Sequence, residues 1–408
     1  MEVRMKKQIS EIPAAAGGVP VRDKKIYYGH QYLDEADYRA VLDLLKSGDD
    51  LTCGPKIGEL EDKLCRVTGA GHAVSVSNGT AALHVACLAA GIGPGDEVIT
   101  TPITFAASAN CVLYCGGRPV FADVDDRTYN IDPESVRSHI TERTRAVIAV
   151  DYTGQSVDLK ALRKICDEHH LLLITDSAHS MGTVYDGRPT GSIADMTTFS
   201  FHPIKTVTCG EGGAVTTNDD RLAQRLRLFS KHGITRDTNL MEKEPDGPWY
   251  YEQIELGYNY RLTDIQAALL ISQLDKLEMF AARRKEIVRR YNEAFSQIPQ
   301  VRVQEEVPES DTVRHLYILR LAPEKLKIGR KEFFAAMAAE NICCNVNYIP
   351  TYWFPYYRKL GYEKGLCPVA ERLYEEIMSL PLYYGMSDQD VEDVIRAVRR
   401  IAAYYAKD

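Results

Sequence analysis

The sequence predicts an α/β protein: a mostly parallel central sheet with helices on both faces, followed by a smaller C-terminal α+β unit. Three observations predict it. Short β-branched runs alternate with helical segments from His72 onward, the run Leu171–Ile174 is apolar at every position, and the last third of the chain mixes strands and helices without that alternation. Alternation implies crossover helices between parallel strands, and a strand apolar at every position is one covered on both faces.

The elements follow in order. "HAVSVS" leads into the helical "TAALHVACLAAG", "DEVITTP" into "FAASANCVLYCG", and "RPVFADV" stands alone. "RAVIAVDY" then precedes "LKALRKICDEHH", and "LLLITDS" closes the series. "MTTFSF" and "GGAVTTN" read as two further strands around Lys205, and Asp219 is positioned to cap a helix over Arg221–Phe229. Leu269, Leu270, Leu274, Leu277 and Phe280 recur at helical spacing, so one long helix is expected over about 263–298.

At 408 residues, the chain has room for about two or three domain-sized units. The expected division is an extension over 1–25, flexible or loosely attached, a large unit over 26–275, and a small unit over 276–408. The stretch "RDTNLMEKEPDGPWYYEQ" is polar and carries Pro and Gly, which marks a surface excursion.

Composition narrows the class of function. The chain is 45% hydrophobic and 26% charged, with a formal charge of −8 spread without long acidic runs. This is the balance of a soluble protein with a mildly acidic surface, not of a nucleic-acid binder. The ten cysteines are irregularly spaced with no CxxC pair, so neither a zinc ribbon nor a disulfide framework is legible. No metal site is expected. No window approaches the roughly 18 apolar residues of a membrane span, and the N-terminus lacks the apolar segment of a signal peptide. A cytoplasmic protein away from the membrane is expected.

The chemistry lies at the ends of the expected strands. In "VSVSNGTAALHVACLAAG" a strand runs through Ser77, Asn78, Gly79 and Thr80 into a helix. Free N–H groups at a helix start form an anion site, small residues permit close approach, and Thr80 adds a hydroxyl. Simple capping by Asn78 or Thr80 is the alternative.

Asp176 in "LLLITDSAHSMG" sits at the mouth of a central strand. A carboxylate there needs a cationic or hydrogen-bonded partner, and a protonated pyridine nitrogen is one. Capping of the following turn is the other reading. His179, three residues on, lies near the same ring or serves as a polar core residue, and spacing does not separate the two. Phe105 in "TPITFAASAN" follows another strand end, where an aromatic face stacks on a flat cofactor or packs in the core.

"SFHPIKTVTCGEGGAV" then sets Lys205 on a turn, after Ser200 and before a glycine-rich stretch. One lysine alone reads as a solvated charge. Held at a sheet mouth and desolvated, it becomes a nucleophilic amine able to form an imine with an aldehyde. Together these residues match the phosphate, ring nitrogen and aldehyde of pyridoxal phosphate. A dinucleotide-binding dehydrogenase would need a GxGxxG after the first strand, and none is present.

The order "SNGTAAL", "DSAH", "SFHPIKTVTCGEGG", "GYNYRLTDIQAAL" resembles the DegT/DnrJ/EryC1/StrS family of pyridoxal-phosphate-dependent nucleotide-sugar aminotransferases. The resemblance runs from about Tyr28 to the terminal helix. It implies the fold type I, aspartate-aminotransferase-like architecture. Lys205 would be the Schiff-base lysine, Asp176 the partner of the pyridine nitrogen, and Phe105 the ring-stacking residue. Gly79, Thr80, Ala81 and Ser200 would hold the phosphate. Gln155 in "YTGQSVD" matches a glutamine near the cofactor, and His179 a histidine beside it. Asn259 in "GYNYR" would reach the cofactor phosphate of a partner subunit, making a homodimer with shared active sites.

Within the family, the segments over 28–55 and 248–277 most resemble the branch acting in pseudaminic acid biosynthesis. That branch makes UDP-4-amino-4,6-dideoxy-N-acetyl-β-L-altrosamine. The implied partners are therefore L-glutamate, leaving as 2-oxoglutarate, and a UDP-linked 4-keto-6-deoxy sugar, with pyridoxamine phosphate carrying the amine between half-reactions. Three departures from that branch, His30, Cys53 and Asn347, fall in segments that line the substrate side in the family. They bear on which sugar is taken. A related branch that dehydrates sugars has histidine at the lysine position, and Lys205 argues against it. A silent cofactor-binding or nucleotide-binding dimer is the non-enzymatic alternative.

Overall fold

The computed structural model describes residues 12–407. Its centre is a seven-stranded sheet of β1 (His72–Val76), β2 (Glu97–Thr100), β3 (Arg118–Phe121), β4 (Thr144–Val150), β5 (Leu172–Asp176), β6 (Met196–Ser200) and β7 (Gly213–Thr217), in the spatial order β1-β7-β6-β5-β4-β2-β3. Every pairing is parallel except the two made by β7. The period-two rule of strands is visible in β4. Ala146 and Ile148 join one apolar cluster while Val147 and Ala149 join another on the opposite face.

The helices that matter for the site are α1 (Glu35–Ser47), α2 (Gly79–Ala89), α3 (Ala107–Tyr114), α4 (Asp264–Leu274) and α5 (Leu277–Phe295), with α6 (Arg330–Ala339) and α7 (Asp388–Tyr404) further on. α2 is buried nearly all round, at Ala81, Ala82, Leu83, Val85 and Ala86 among others, which suits a helix pressed against the sheet face. No helix of the described residues is long and apolar enough to cross a membrane.

Two expectations change. The long helix over 263–298 is two helices, α4 and α5, broken at Asp275 and Lys276. Leu274 and Leu277 are both buried across the break, so the apolar spacing carries on while the backbone does not. Lys276 Nζ is drawn to Asp34 at 2.8 Å and Asp37 at 2.5 Å, at the start of α1.

The N-terminal stretch differs as well. Residues 1–11 lie outside the described residues, but residues 12–25 are strapped to the smaller unit. Glu340, fully buried, accepts from Ala14 N at 3.0 Å and Val21 N at 2.8 Å, and Arg22 pairs with Asp390 at 2.6 Å. A buried carboxylate needs donors, and this strap supplies them. Ile26–Tyr27 then pairs in parallel with Ile342–Cys343.

The smaller unit carries an antiparallel sheet of β8 (Val301–Val303), β9 (Tyr317–Leu321) and β10 (Ile377–Leu380). Its core joins residues of α5, α6 and α7, such as Ile287, Phe333 and Val394, to Val21 and Ile26 of the strap.

Candidate active site

The carboxyl ends of β1, β5 and β6 open on a cavity of about 950 Å³. Gly79, Thr80, Ala81, Phe105, Asp176, His179, Ser200 and Lys205 all line it. Eight positions scattered over about 130 residues of sequence thus converge, as function does at the carboxyl edge of such sheets.

The floor at β1 is set by two close approaches. A Cβ on Gly79 would stand 2.8 Å from Ser200 Cβ, and a Cβ on Gly213 would stand 2.4 Å from the Asn78 carbonyl oxygen. Only glycine lets α2 start this near β6 and β7. Asn78 caps α2, its Oδ1 accepting from Ala81 N at 2.8 Å. The capping and anion readings therefore coexist. Asn78 takes the Ala81 N–H, while Gly79 and Thr80 lie at the helix start, where N–H groups lack intrahelical acceptors. Ser200 adds a hydroxyl from the facing strand.

Asp176 ends β5 and is buried. Burial raises its pKa, opposed by hydrogen bonds from Ser108 Oγ at 2.6 Å and Ala178 N at 3.2 Å, and by the charge of Lys205. Such a carboxylate is ready for a further cationic partner. Lys205 follows a turn closed by its own N–H on the His202 carbonyl at 2.9 Å. Burial pushes its amine down to about 8, while Asp176 pulls the other way. At that value about a tenth of the amine is neutral at pH 7, far more than for an ordinary lysine, which favours a nucleophile and proton carrier.

His179 is buried, and desolvation with the nearby charge of Lys205 holds its pKa well below the usual range, so the ring is neutral. Its Nε2 lies 3.1 Å from Tyr348 Oη, and the two rings stack at 15°. Phe105 is 62% exposed, with its ring 6.3 Å from that of Tyr348. The aromatic is thus a wall of the cavity, and core packing does not account for it.

Two residues lie elsewhere. Gln155 is fully buried but outside the cavity lining. The backbone turns at Thr153 (φ 65°) and Gly154 (φ 104°), and Gln155 Oε1 accepts from Arg314 Nη2 at 3.1 Å while its amide donates to Glu305 O at 3.2 Å. Gln155 is a clamp between the loop after β4 and the chain before β9. Asn259 is exposed, bridged to Lys231, and outside this chain's cavity.

The three departures also separate. Asn347 lines the cavity, but its Oδ1 accepts from Ser379 Oγ at 2.8 Å and its carbonyl accepts from Tyr152 Oη, so its polar groups are tied to the interior. His30 and Cys53 are exposed and do not line this chain's cavity. Sequence reading missed Tyr348, Ser108, Tyr28 and Tyr260. Ser108 had one signal, its position three residues beyond Phe105, where its N–H closes a turn on the Phe105 carbonyl at 3.2 Å just as α3 begins.

The model of the DegT/DnrJ/EryC1/StrS aminotransferase family matches residues 31–399. The chain belongs to this family. The spore coat polysaccharide biosynthesis protein SpsC of Bacillus subtilis is 41% identical over 94% of this chain and 98% of its own. The structure of Helicobacter pylori PseC, an aminotransferase in pseudaminic acid biosynthesis, aligns with a TM-score of 0.86 at 32% identity, covering 94% of this chain and all of that one. Spr1654 of Streptococcus pneumoniae, described as a candidate sugar aminotransferase and solved in PLP and PMP forms, aligns at 0.86 and 30% identity. It covers 93% of this chain and 99% of its own in the PLP form and 98% in the PMP form.

This DegT-family chain is accordingly a sugar aminotransferase of PLP fold type I that depends on pyridoxal phosphate. Its residues fit that group: the glycine-walled helix start, the buried carboxylate, the exposed aromatic wall and the amine at about 8 all face one cavity. When bound, pyridoxal phosphate supplies an aldehyde carbon and an electron-withdrawing ring.

Proposed function

We propose that the chain moves the amino group of L-glutamate to C4 of a UDP-linked 4-keto-6-deoxy-N-acetylhexosamine. The product would be UDP-4-amino-4,6-dideoxy-N-acetyl-β-L-altrosamine, a step of pseudaminic acid biosynthesis. The single observation that carries the substrate reading is the likeness to PseC along nearly the whole chain.

In this reading Lys205 would hold the cofactor and, as a neutral amine, would serve as the proton carrier at the substrate carbon. Asp176 would pair with the ring nitrogen, Phe105 would offer an aromatic face to the ring, and His179, held by Tyr348, would line the same site. Gly79, Thr80 and Ser200 receive the phosphate, with Ala81 behind them as the capped N–H. Glutamate leaves as 2-oxoglutarate before the keto sugar enters the same cavity.

The functional unit in this reading is a homodimer. Asn259 is exposed and does not line its own cavity, and α1 presents Tyr38, Leu42 and Leu45 to solvent along one face. A second copy would cover that face and receive Asn259. All ten cysteines are free, which suits the reducing cytoplasm.

A second reading has its own support. SpsC, at 41% identity, is named for spore coat polysaccharide rather than pseudaminic acid, so another nucleotide-linked keto sugar is the alternative substrate. Incubating the PLP-loaded protein with glutamate and a panel of UDP- and dTDP-linked keto sugars decides between them. Amination at C4 of the UDP-4-keto-6-deoxy-N-acetylhexosamine, with the product identified by NMR, supports the first. Amination of only another sugar supports the second, and no amination of any nucleotide sugar sinks both.

A further inference from the structure

A second carboxylate lies one strand away from Asp176. Asp151 follows β4, is fully buried and does not line the cavity. Its Oδ2 accepts from Ser177 Oγ at 2.6 Å and from Ser180 Oγ at 2.7 Å, and its Oδ1 accepts from Val157 N at 3.0 Å. Its own N–H donates to the Asp176 carbonyl at 3.0 Å.

Ser177 and Ser180 bracket the turn that begins at Asp176 and carries His179. Ser180 N closes that turn on the Ser177 carbonyl at 3.1 Å. Burying a like charge so near Asp176 is unfavourable, and an apolar side chain would fill the space without that cost. What a carboxylate offers is acceptor capacity with no donor: it takes two hydroxyls and one N–H at once. An asparagine would either turn its NH₂ on the Val157 N–H or make both serine hydroxyls accept from it, and in both cases the charge-assisted bonds are lost.

We propose that Asp151 is a positioning residue that aims Asp176 and His179 into the cavity by holding both serines of their turn. The proposal rests on the reading of Asp176 as the partner of the cofactor ring. Asp151 touches neither cofactor nor substrate and acts through Ser177 and Ser180.

The test compares Asp151→Asn, the double variant Ser177→Ala/Ser180→Ala, and Asp176→Asn. For each, the Kd of the apoprotein for pyridoxal phosphate is measured by fluorescence titration, together with Tm and with kcat and KM for the glutamate half-reaction. Losing charge-assisted hydrogen bonds predicts a Kd raised about 10- to 100-fold in both Asp151→Asn and the double serine variant. In both, kcat should fall with KM for glutamate little changed. A merely structural Asp151 would lower Tm while the folded protein bound pyridoxal phosphate within about twofold of the parent, and that result overturns the proposal. Where Asp151→Asn does not fold, the double variant, which keeps the carboxylate, decides by the same criterion. If Asp176→Asn also leaves Kd and kcat unchanged, the reading of Asp176 itself has failed. If Asp176→Asn is impaired and the other two are not, only the positioning role has failed.

Discussion

Ser108 Oγ donates to Asp176 Oδ2 at 2.6 Å from a helix that starts two residues after Phe105. The serine lowers the pKa of a carboxylate that burial raises, so it helps keep Asp176 anionic where a pyridinium would need it. The aromatic wall at Phe105 and the carboxylate support at Ser108 thus stand on either side of one helix start. Ser108→Ala should lower kcat/KM of the glutamate half-reaction by about 10- to 100-fold, the usual size of a hydrogen bond to a charged group. Steady-state kinetics with Tm as a control checks it, and an unchanged kcat/KM would remove Ser108 from the site.

Lys205→Ala should abolish turnover, at least about 10³-fold, because both a nucleophile and a proton carrier are lost. The fold should survive, since burying this amine costs stability and Tm should not fall. Measured transamination above about one per cent of the parent would contradict the role given to Lys205.

The amine of Lys205 is held at about 8, against an ordinary 10.5, by burial, while Asp176 opposes the shift. Only the neutral amine attacks an aldehyde. The rate at which apoprotein captures pyridoxal phosphate should therefore rise with pH through about 8 and level off above it. Asp176→Asn removes the opposing charge and should move that midpoint to lower pH. The linkage has a definite sign as well. Between about 8 and 10.5 the unfolded chain binds the extra proton, so this group makes stability rise with pH across that window and contributes no slope below it.

Gly213 tolerates no side chain, because its Cβ would lie 2.4 Å from the Asn78 carbonyl oxygen and 2.9 Å from Gly79 N. Gly213→Ala must push β7 away from the start of α2. A loss of about 1–3 kcal/mol in stability is expected from this overpacking, with a weaker Kd for pyridoxal phosphate. Denaturant melts and cofactor titration measure the two effects separately.

Glu340 binds the N-terminal strap through two backbone N–H groups and stands 3.4 Å from the nearly buried Arg400. Glu340→Ala leaves both N–H donors without their acceptor and takes the counter-charge from Arg400, whose Nη1 keeps the Val19 carbonyl at 2.7 Å, a change worth up to about 3–5 kcal/mol for a buried pair. Faster proteolysis within residues 12–25, read by mass spectrometry, should accompany it. Equal protection in both proteins would show that the strap is held by other contacts.

The parallel sheet, the glycine-rich starts and the chemistry-bearing residues at strand ends were legible because each is a local pattern. A strand, a turn and a helix start lie within about a dozen residues, and period and capping chemistry act over that range. Lys205, Asp176, Thr80 and Phe105 could be assigned to strand ends for this reason.

What only the tertiary structure decided is which distant groups meet. Ser108 and Asp176 are 68 positions apart, His179 and Tyr348 169, and Ala14 and Glu340 326. No local period encodes such pairings. Gln155 shows the limit most plainly: the family resemblance of "YTGQSVD" set it near the cofactor, but a left-handed turn at Thr153 and Gly154 sends it to Arg314. The sequence by itself determined the sheet and the reactive groups at its edge. The packing of remote segments decided how those groups are aimed, because a buried polar atom must find its partner wherever the fold brings one.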